Sequence, residues 1–133
     1  MTLNSKDWRL AGANSDGKAD TGKTMMSLLM VQFGDLNKQV ADVLTFGSEK
    51  YPKPPLHDSW KDVPDGIRRY TDAIYRHLHA YFVLNEELDQ ESGLHHLAHA
   101  MCNMHFIYEL KKALNDCRNR QGVPVLANGQ HPQ

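Results

Sequence analysis

The chain has 133 residues and a formal net charge of −1 at pH 7. This length fits one domain that buries a core without disulfides, and the charge provides no basic field for a dedicated nucleic-acid-binding module. The N-terminus lacks the apolar core of a signal peptide, and no apolar run approaches the roughly 18 residues of a membrane span. We therefore expect a cytoplasmic protein that binds neither membranes nor nucleic acid directly.

Apolar periodicity predicts an all-α fold, a compact bundle of three main helices at about 35–47, 65–84 and 94–115. The polar, glycine-containing residues 1–23 predict an extended N-terminal arm. Asp35 is a suitable N-cap for the first helix, and Gly47 is a suitable stop. We expect one domain over 1–117 and a flexible tail over 118–133, with essentially no sheet.

The third predicted helix carries an unusual polar face. At about 100° per residue, His95, His96, His99 and Asn103 lie together, separate from the main apolar stripe. Histidines three or four residues apart can direct their imidazoles to one metal ion or one phosphate. The face turns apolar one helical turn later, which is typical of the floor of a site. The spacing leaves open which of the three imidazoles point inward.

An acidic segment joins the second and third predicted helices. Because these helices must pack side by side, acids in the link can converge with residues of both. Hard divalent cations prefer carboxylate oxygens, and Glu87 is the acid expected to face solvent. The predicted metal ligands are Glu86, Asp89, Glu91, His96 and His99.

Two groups of basic residues offer charge for phosphates, which need cations on the protein side. The first surrounds Gly22, with Lys18, Asp20 and Lys23, and lacks the glycine spacing and strand context of a P-loop. The second combines Arg76 and His77 with Lys50 and Tyr51 from the preceding loop.

The order of these motifs is similar to that of a known family. It runs through Lys-x-Asp-x-Gly-Lys (18–23), Gly47 to Lys50-Tyr51, Trp60, Arg76-His77, Glu86-x-x-Asp89-x-Glu91-x-Gly93, His96-Leu97-Ala98-His99-Ala100 and Cys102-Asn103. From about Lys18 to Lys112 the chain resembles the phage dATP/dGTP diphosphohydrolase family (MazZ), which is related to the all-α MazG-like nucleotide pyrophosphohydrolases.

The resemblance implies a metal-dependent enzyme that hydrolyses dATP and dGTP to the monophosphate and pyrophosphate. It implies Mg²⁺ or Mn²⁺ as cofactor and a homo-oligomer, a dimer or a tetramer. In a phage that uses 2-aminoadenine, dGMP would feed synthesis of that nucleotide while dATP is depleted. The preference among dGTP, dATP and 2-amino-dATP stays open.

Two departures from the related enzymes bear on the site. MazG-like enzymes usually carry a Glu-x-x-Glu helix followed by a Glu-x-x-Asp helix, whereas this chain offers His96-x-x-His99. Asn85 stands where relatives often have glycine.

Roles follow from combining the residues with the resemblance. The candidate catalytic residues are Glu91, Arg76 and His77. The candidate substrate-binding residues are Lys18, Asp20, Lys23, Lys50, Tyr51, Trp60 and Asn103, where Trp60 or Tyr51 would stack on the purine.

Two other functions fit parts of the sequence. The literal pair His57-Asp58 is compatible with an HD-type nucleotide phosphohydrolase, although it lies in a proline-rich loop. The long apolar third helix is compatible with a non-catalytic interaction module, although such a module does not require the cluster of acids and histidines.

Overall fold

The computed structural model describes residues 21–51 and 58–122. The elements follow in the order α1 (Ser27–Lys50), a short 3-10 helix (Ser59–Asp62), α2 (Gly66–Phe82) and α3 (His96–Arg120). Within the described residues the only β-pairing is an isolated bridge between Leu88 and His95. The all-α prediction with three main helices is therefore confirmed. The predicted arm over 1–20, the tail beyond 122 and the loop 52–57 lie outside the described residues.

The chain divides into two compact units, Met1–Gly34 and Asp35–Gln133. In the described part of the first unit, residues 21–26 form turns and coil, and α1 begins at Ser27. The apolar side chains of this segment are exposed, including Met26 at 71% and Val31 at 80%. They add nothing to the buried core.

The bounds predicted for α1 are wrong at both ends. α1 has a kink at the non-helical residue Phe33, where two helical segments join, and the second segment contains Gly34, Asp35 and Gly47. A glycine inside a helix costs only about 1 kcal/mol, which tertiary packing readily offsets. Asp35 is consequently not an N-cap.

One buried cluster joins α1 to α3, and α2 packs along α3 and adds the buried Ile74 and Ala80 to the core. Val40 and Val43 pack against Ala98 and Cys102, and all four side chains are buried. Ala98 has no exposed surface, so α1 and α3 meet here over a small side chain. A further layer of partly buried residues surrounds this cluster, namely Leu36, Leu94, Met101 and Phe106.

The 3-10 helix is fixed to α2 and α3 by aromatic contacts. The Trp60 ring stacks on Phe106 at 4.9 Å between centroids, and the Tyr70 ring contacts the same Phe106 at 4.9 Å. The Tyr70 hydroxyl donates to the Trp60 carbonyl at 2.7 Å. The loop that precedes α2 is therefore anchored at its end.

α3 begins later and ends later than predicted. His95 occupies the N-cap position, where its Nδ1 accepts the Leu97 N–H at 3.0 Å. The helix continues past residue 115 into the predicted tail, to Arg120, and ends with Arg118 and Arg120 in its last turn. Cations there favour the helix because they face the negative end of its dipole. No helix among the described residues is long and apolar enough to cross a membrane.

Candidate active site and metal centre

The connection between α2 and α3 is a tightly bonded loop. Asn85 leaves α2 with a left-handed backbone (φ 55°), and the Glu86 N–H donates back to the Ala80 carbonyl at 2.9 Å. Asn tolerates this conformation better than most residues, which fits its position here. The loop then pairs with the start of α3: the Asp89 N–H donates to the Leu94 carbonyl at 2.8 Å. These bonds fix the loop that carries the acids.

Ser92 is the central residue of this loop, and the sequence reading missed it. Asp89 Oδ2 accepts the Ser92 N–H at 2.9 Å and the Ser92 hydroxyl at 3.0 Å. Ser92 Oγ also accepts the Leu94 N–H at 3.2 Å and lies 2.6 Å from His99 Nε2. One hydroxyl donates once and accepts twice, so His99 carries its proton on Nε2 and donates to Ser92. The available signal was the Asp-x-x-Ser spacing, because Asp side chains often cap such turns.

Three imidazoles meet between α2 and α3. His77 of α2 lies with its Nδ1 2.8 Å from His96 Nδ1. On its other side the His77 ring stacks on His99, with centroids 4.6 Å apart and planes within 9°. The cluster brings together residues that lie 19 positions apart in the chain.

Asp89 completes a set of metal-ligand atoms. His77, Asp89 and His96 each offer one such atom, all within 4.8 Å of one another. Two ligand atoms that each lie about 2.1 Å from one ion are about 3 Å apart when they bind at right angles and about 4.2 Å apart when they bind on opposite sides. Small side-chain rotations would therefore bring the three atoms onto one ion. Of the predicted ligands, Asp89 and His96 belong to this set, and His77 joins it. His99 Nε2 lies 3.8 Å from Asp89 Oδ2 and is engaged with Ser92.

Burial favours the uncharged forms of His77 and His99. Desolvation, together with the neighbouring His99 and His96, lowers the pKa of His77 to about 4. Desolvation likewise lowers the pKa of His99. Desolvation by itself would raise the pKa of Asp89, but the two hydrogen bonds from Ser92 and the nearby imidazoles outweigh it and lower that pKa. A neutral imidazole and an ionised carboxylate are the forms that bind metal ions.

His96 has one buried nitrogen without a partner in the described structure. The residue is 5% exposed, and its Nε2 has no hydrogen bond. Glu86 Oε2 lies 3.8 Å from this nitrogen. Glu86, a predicted ligand, therefore lies on the outer side of His96. His95 faces the neighbouring Glu87, with its Nε2 3.9 Å from Oε1.

Glu91 lies outside the set of three clustered donor residues. Its side chain is 62% exposed and forms an ion pair with Lys50 at the end of α1. Lys50 Nζ also lies 5.3 Å from the centroid of the Tyr51 ring. The structure thus joins three of the predicted site residues to one another at the edge of the loop.

The other predicted site residues occupy varied positions. Asn103 is buried and donates from Nδ2 to the His99 carbonyl at 2.8 Å, which ties it to the cluster through the backbone. Arg76 precedes His77 and is exposed, as is Lys23. One face of Trp60 is covered by Phe106. Lys18, Asp20 and His57 lie outside the described residues.

The fold and the cluster define a small helical protein with an imidazole–carboxylate site at a helix–helix junction. A family model described as dATP/dGTP diphosphohydrolase, N-terminal, matches residues 13–120. A protein of Salmonella phage PMBT28, named dATP/dGTP diphosphohydrolase, is 37% identical over 93 residues, which are 70% of this chain. The chain belongs to this dATP/dGTP diphosphohydrolase family, as the motifs implied. It spans 29% of that relative's length, and no solved structure matches it.

Proposed function

We propose that this protein hydrolyses purine deoxynucleoside triphosphates, dGTP and dATP, to the monophosphate and pyrophosphate with a divalent cation. Family membership and the name of the phage relative, dATP/dGTP diphosphohydrolase, support this choice of substrate. The observation that carries the proposal is the meeting of His77, His96 and Asp89 within 4.8 Å of one another.

The donors fit a divalent cation. Asp89 is ionised and oriented by Ser92, and the carboxylates of Glu86 and Glu91 lie on the same loop. Carboxylates suit Mg²⁺ or Mn²⁺, the cations the family resemblance implies. A cation bound there would supply positive charge to the phosphate oxygens and promote ionisation of the attacking water.

The protein's own cations would hold the leaving group. Water attacks the α-phosphorus, the bond to the α,β-bridging oxygen breaks, and pyrophosphate leaves with extra negative charge. Lys50 and Arg76 are the candidate residues that neutralise this charge. Lys50 is exposed enough to exchange Glu91 for a phosphate, with its side chain 38% accessible.

The decisive experiment is incubation with each dNTP and Mg²⁺ or Mn²⁺, followed by identification of the products. Monophosphate plus pyrophosphate supports the proposal, whereas triphosphate or single phosphates would indicate the HD-type alternative. Absence of turnover and of metal-dependent heat on dNTP titration would indicate the non-catalytic module.

A matched pair of variants tests the role of Glu91. Glu91→Gln removes the charge of the carboxylate that we predict to be catalytic, and we expect turnover to fall by about 10²–10³, the loss expected for one electrostatic contact to the reacting groups. Glu87→Gln changes a neighbouring carboxylate that is 76% exposed, and we expect turnover to stay unchanged. Equal turnover in the two variants would remove Glu91 from the site.

We also propose a homodimer or homotetramer. Exposed apolar side chains on α3 support it, among them Met104, Tyr108 and Leu114. Light scattering of the purified chain gives the test, and a monomer at micromolar concentration would contradict it. On the family resemblance alone, we propose that in a phage using 2-aminoadenine the dGMP produced feeds that pathway while dATP is removed.

A further inference from the structure

Nitrogen ligands dominate the innermost donor set of the cluster. His77 and His96 present their Nδ1 atoms 2.8 Å apart, and Asp89 is the third member of the set. Mg²⁺ prefers oxygen ligands in a near-ideal octahedron, whereas imidazole nitrogen is a ligand of first-row transition ions. The innermost donors therefore differ from those of a magnesium site built only from acids.

The two-nitrogen contact has the spacing of adjacent metal ligands. Two ligands held at right angles on one ion, each at about 2.1 Å, lie about 3 Å apart. As a hydrogen bond, the same contact places the proton on one Nδ1 and makes the other Nδ1 the acceptor. If the proton lies on His96 Nδ1, its Nε2 presents a lone pair toward the Glu86 carboxylate, which is unfavourable.

A metal ion bound at His96 Nδ1 would place the proton of His96 on Nε2, as would a hydrogen bond donated by His77 Nδ1. With Nδ1 bound to the ion, His96 is neutral with its proton on Nε2, the atom that has no partner and lies 3.8 Å from Glu86 Oε2. A rotation of Glu86, whose side chain is 45% exposed, closes this gap to a hydrogen bond. Metal-binding histidines usually donate their second nitrogen to such a carboxylate.

We propose that His77, His96 and Asp89 bind one first-row transition-metal dication of the Zn²⁺, Co²⁺ or Mn²⁺ type, with Glu86 as the outer partner of His96. The inference rests on the proposed function, because it names the ion for the same site. It assigns His77 as a ligand and places Glu91 outside the inner set. Affinity should follow the order Zn²⁺ > Co²⁺ > Mn²⁺, with Mg²⁺ weakest.

The test is direct metal binding by the full chain, purified without a histidine tag and stripped with EDTA. Co²⁺ serves as the probe, followed by its visible absorption and by calorimetry, with Mg²⁺ titrated in parallel. We expect one Co²⁺ per chain, bound about tenfold or more tightly than Mg²⁺, and a Co²⁺-dependent rise in the melting temperature.

Variants assign the ligands. His77→Ala and Asp89→Asn should abolish the Co²⁺ spectrum, and Glu86→Gln should weaken binding by about 10–100-fold. Asp89→Asn is nearly isosteric and retains an acceptor for Ser92, so it serves if His77→Ala fails to fold by circular dichroism. His79→Ala and His105→Ala remove exposed histidines of α2 and α3 and should bind Co²⁺ as the wild type does.

Two results would overturn the inference: Mg²⁺ binding as tight as Co²⁺ binding, or an unchanged Co²⁺ spectrum in folded Asp89→Asn and His77→Ala. Its failure is separable from that of the proposed function. If the protein hydrolyses dGTP with Mg²⁺ but does not bind Co²⁺, the proposed function is supported and the proposed transition-metal site is refuted. Co²⁺ binding at the triad without hydrolysis of any dNTP leaves the site standing and removes the function.

Discussion

Ser92→Ala tests whether the loop between α2 and α3 is held by one hydroxyl. In the structure Ser92 Oγ donates to Asp89 at 3.0 Å and accepts from Leu94 N–H at 3.2 Å, and it lies 2.6 Å from His99 Nε2. Alanine removes all three contacts but keeps the backbone N–H bond to Asp89. The change is otherwise small, because only one oxygen is lost.

The loss of unfolding free energy in Ser92→Ala can be estimated from these three contacts. One hydrogen bond makes a net contribution to stability of about 0.5–1.5 kcal/mol, and one to a charged acceptor such as Asp89 contributes about 1.5–3 kcal/mol. Because the three contacts share one atom, and because water can reach the partly exposed groups, we expect a total of about 2 kcal/mol. For a domain of this size that corresponds to a fall in melting temperature of about 6–10 °C.

Urea unfolding of the EDTA-treated protein, followed by circular dichroism, measures this cost without a contribution from bound metal. Ser92→Thr keeps the hydroxyl and should lose much less stability. Ser48→Ala is the matched control, since its hydroxyl bonds only the Thr45 carbonyl on the exposed surface of α1. If Ser92→Ala loses no more than Ser48→Ala, about 0.5 kcal/mol or less, the hydroxyl does not hold the loop.

Three further measurements test the loop, the two cysteines and His77. Because Asn85 has φ 55°, Asn85→Gly should leave the urea midpoint nearly unchanged, whereas Asn85→Ala should lower the free energy of unfolding by about 1 kcal/mol. Equal urea midpoints for the two variants would contradict this. A thiol reagent should label only the exposed Cys117 in the native protein, because Cys102 is buried and burial raises its pKa to about 12; two fast-reacting thiols would contradict this. In metal-free protein the pKa of His77 is lowered from 6.5 to about 4, so the unfolded chain binds the proton first. The free energy of unfolding should therefore decrease as the pH is lowered from 6.5 to 4, and the urea midpoint should decrease less in His77→Gln than in the wild type. Equal decreases in the two proteins would contradict this prediction.

The sequence predicts the helices well and their ends poorly, for a physical reason. The apolar positions of α1, such as Val40 and Val43, mark the face that packs on α3. Its glycines were interpreted as boundaries, but a glycine inside a helix costs only about 1 kcal/mol and does not by itself end the helix. The residues that end a helix act locally, whereas the free energy that extends it comes from contacts distant in sequence.

The site was predicted in outline for a similar reason. Helical geometry places His96 and His99 on one turn, so their proximity follows from spacing alone. The direction in which each acid of the link points cannot be predicted from spacing, because irregular backbone has no fixed period. Asp89 turns inward since Ser92 bonds it, and Glu91 turns outward to Lys50. His77 was predicted as a catalytic residue, but its contact with His96 depends on how α2 and α3 pack.

The composition of the junction is itself an argument for function. Helices pack most stably on apolar side chains, and buried polar groups cost free energy unless every hydrogen bond is satisfied. At this junction α2 and α3 meet through three imidazoles beside apolar contacts such as that of Tyr70 with Phe106, and His96 leaves its Nε2 without a partner in the described structure. Burial and mutual repulsion keep His77 neutral, with a lone pair available beside an ionised Asp89. A purely structural junction gains nothing from that arrangement, whereas a site that binds a cation gains its ligands already deprotonated and held in place.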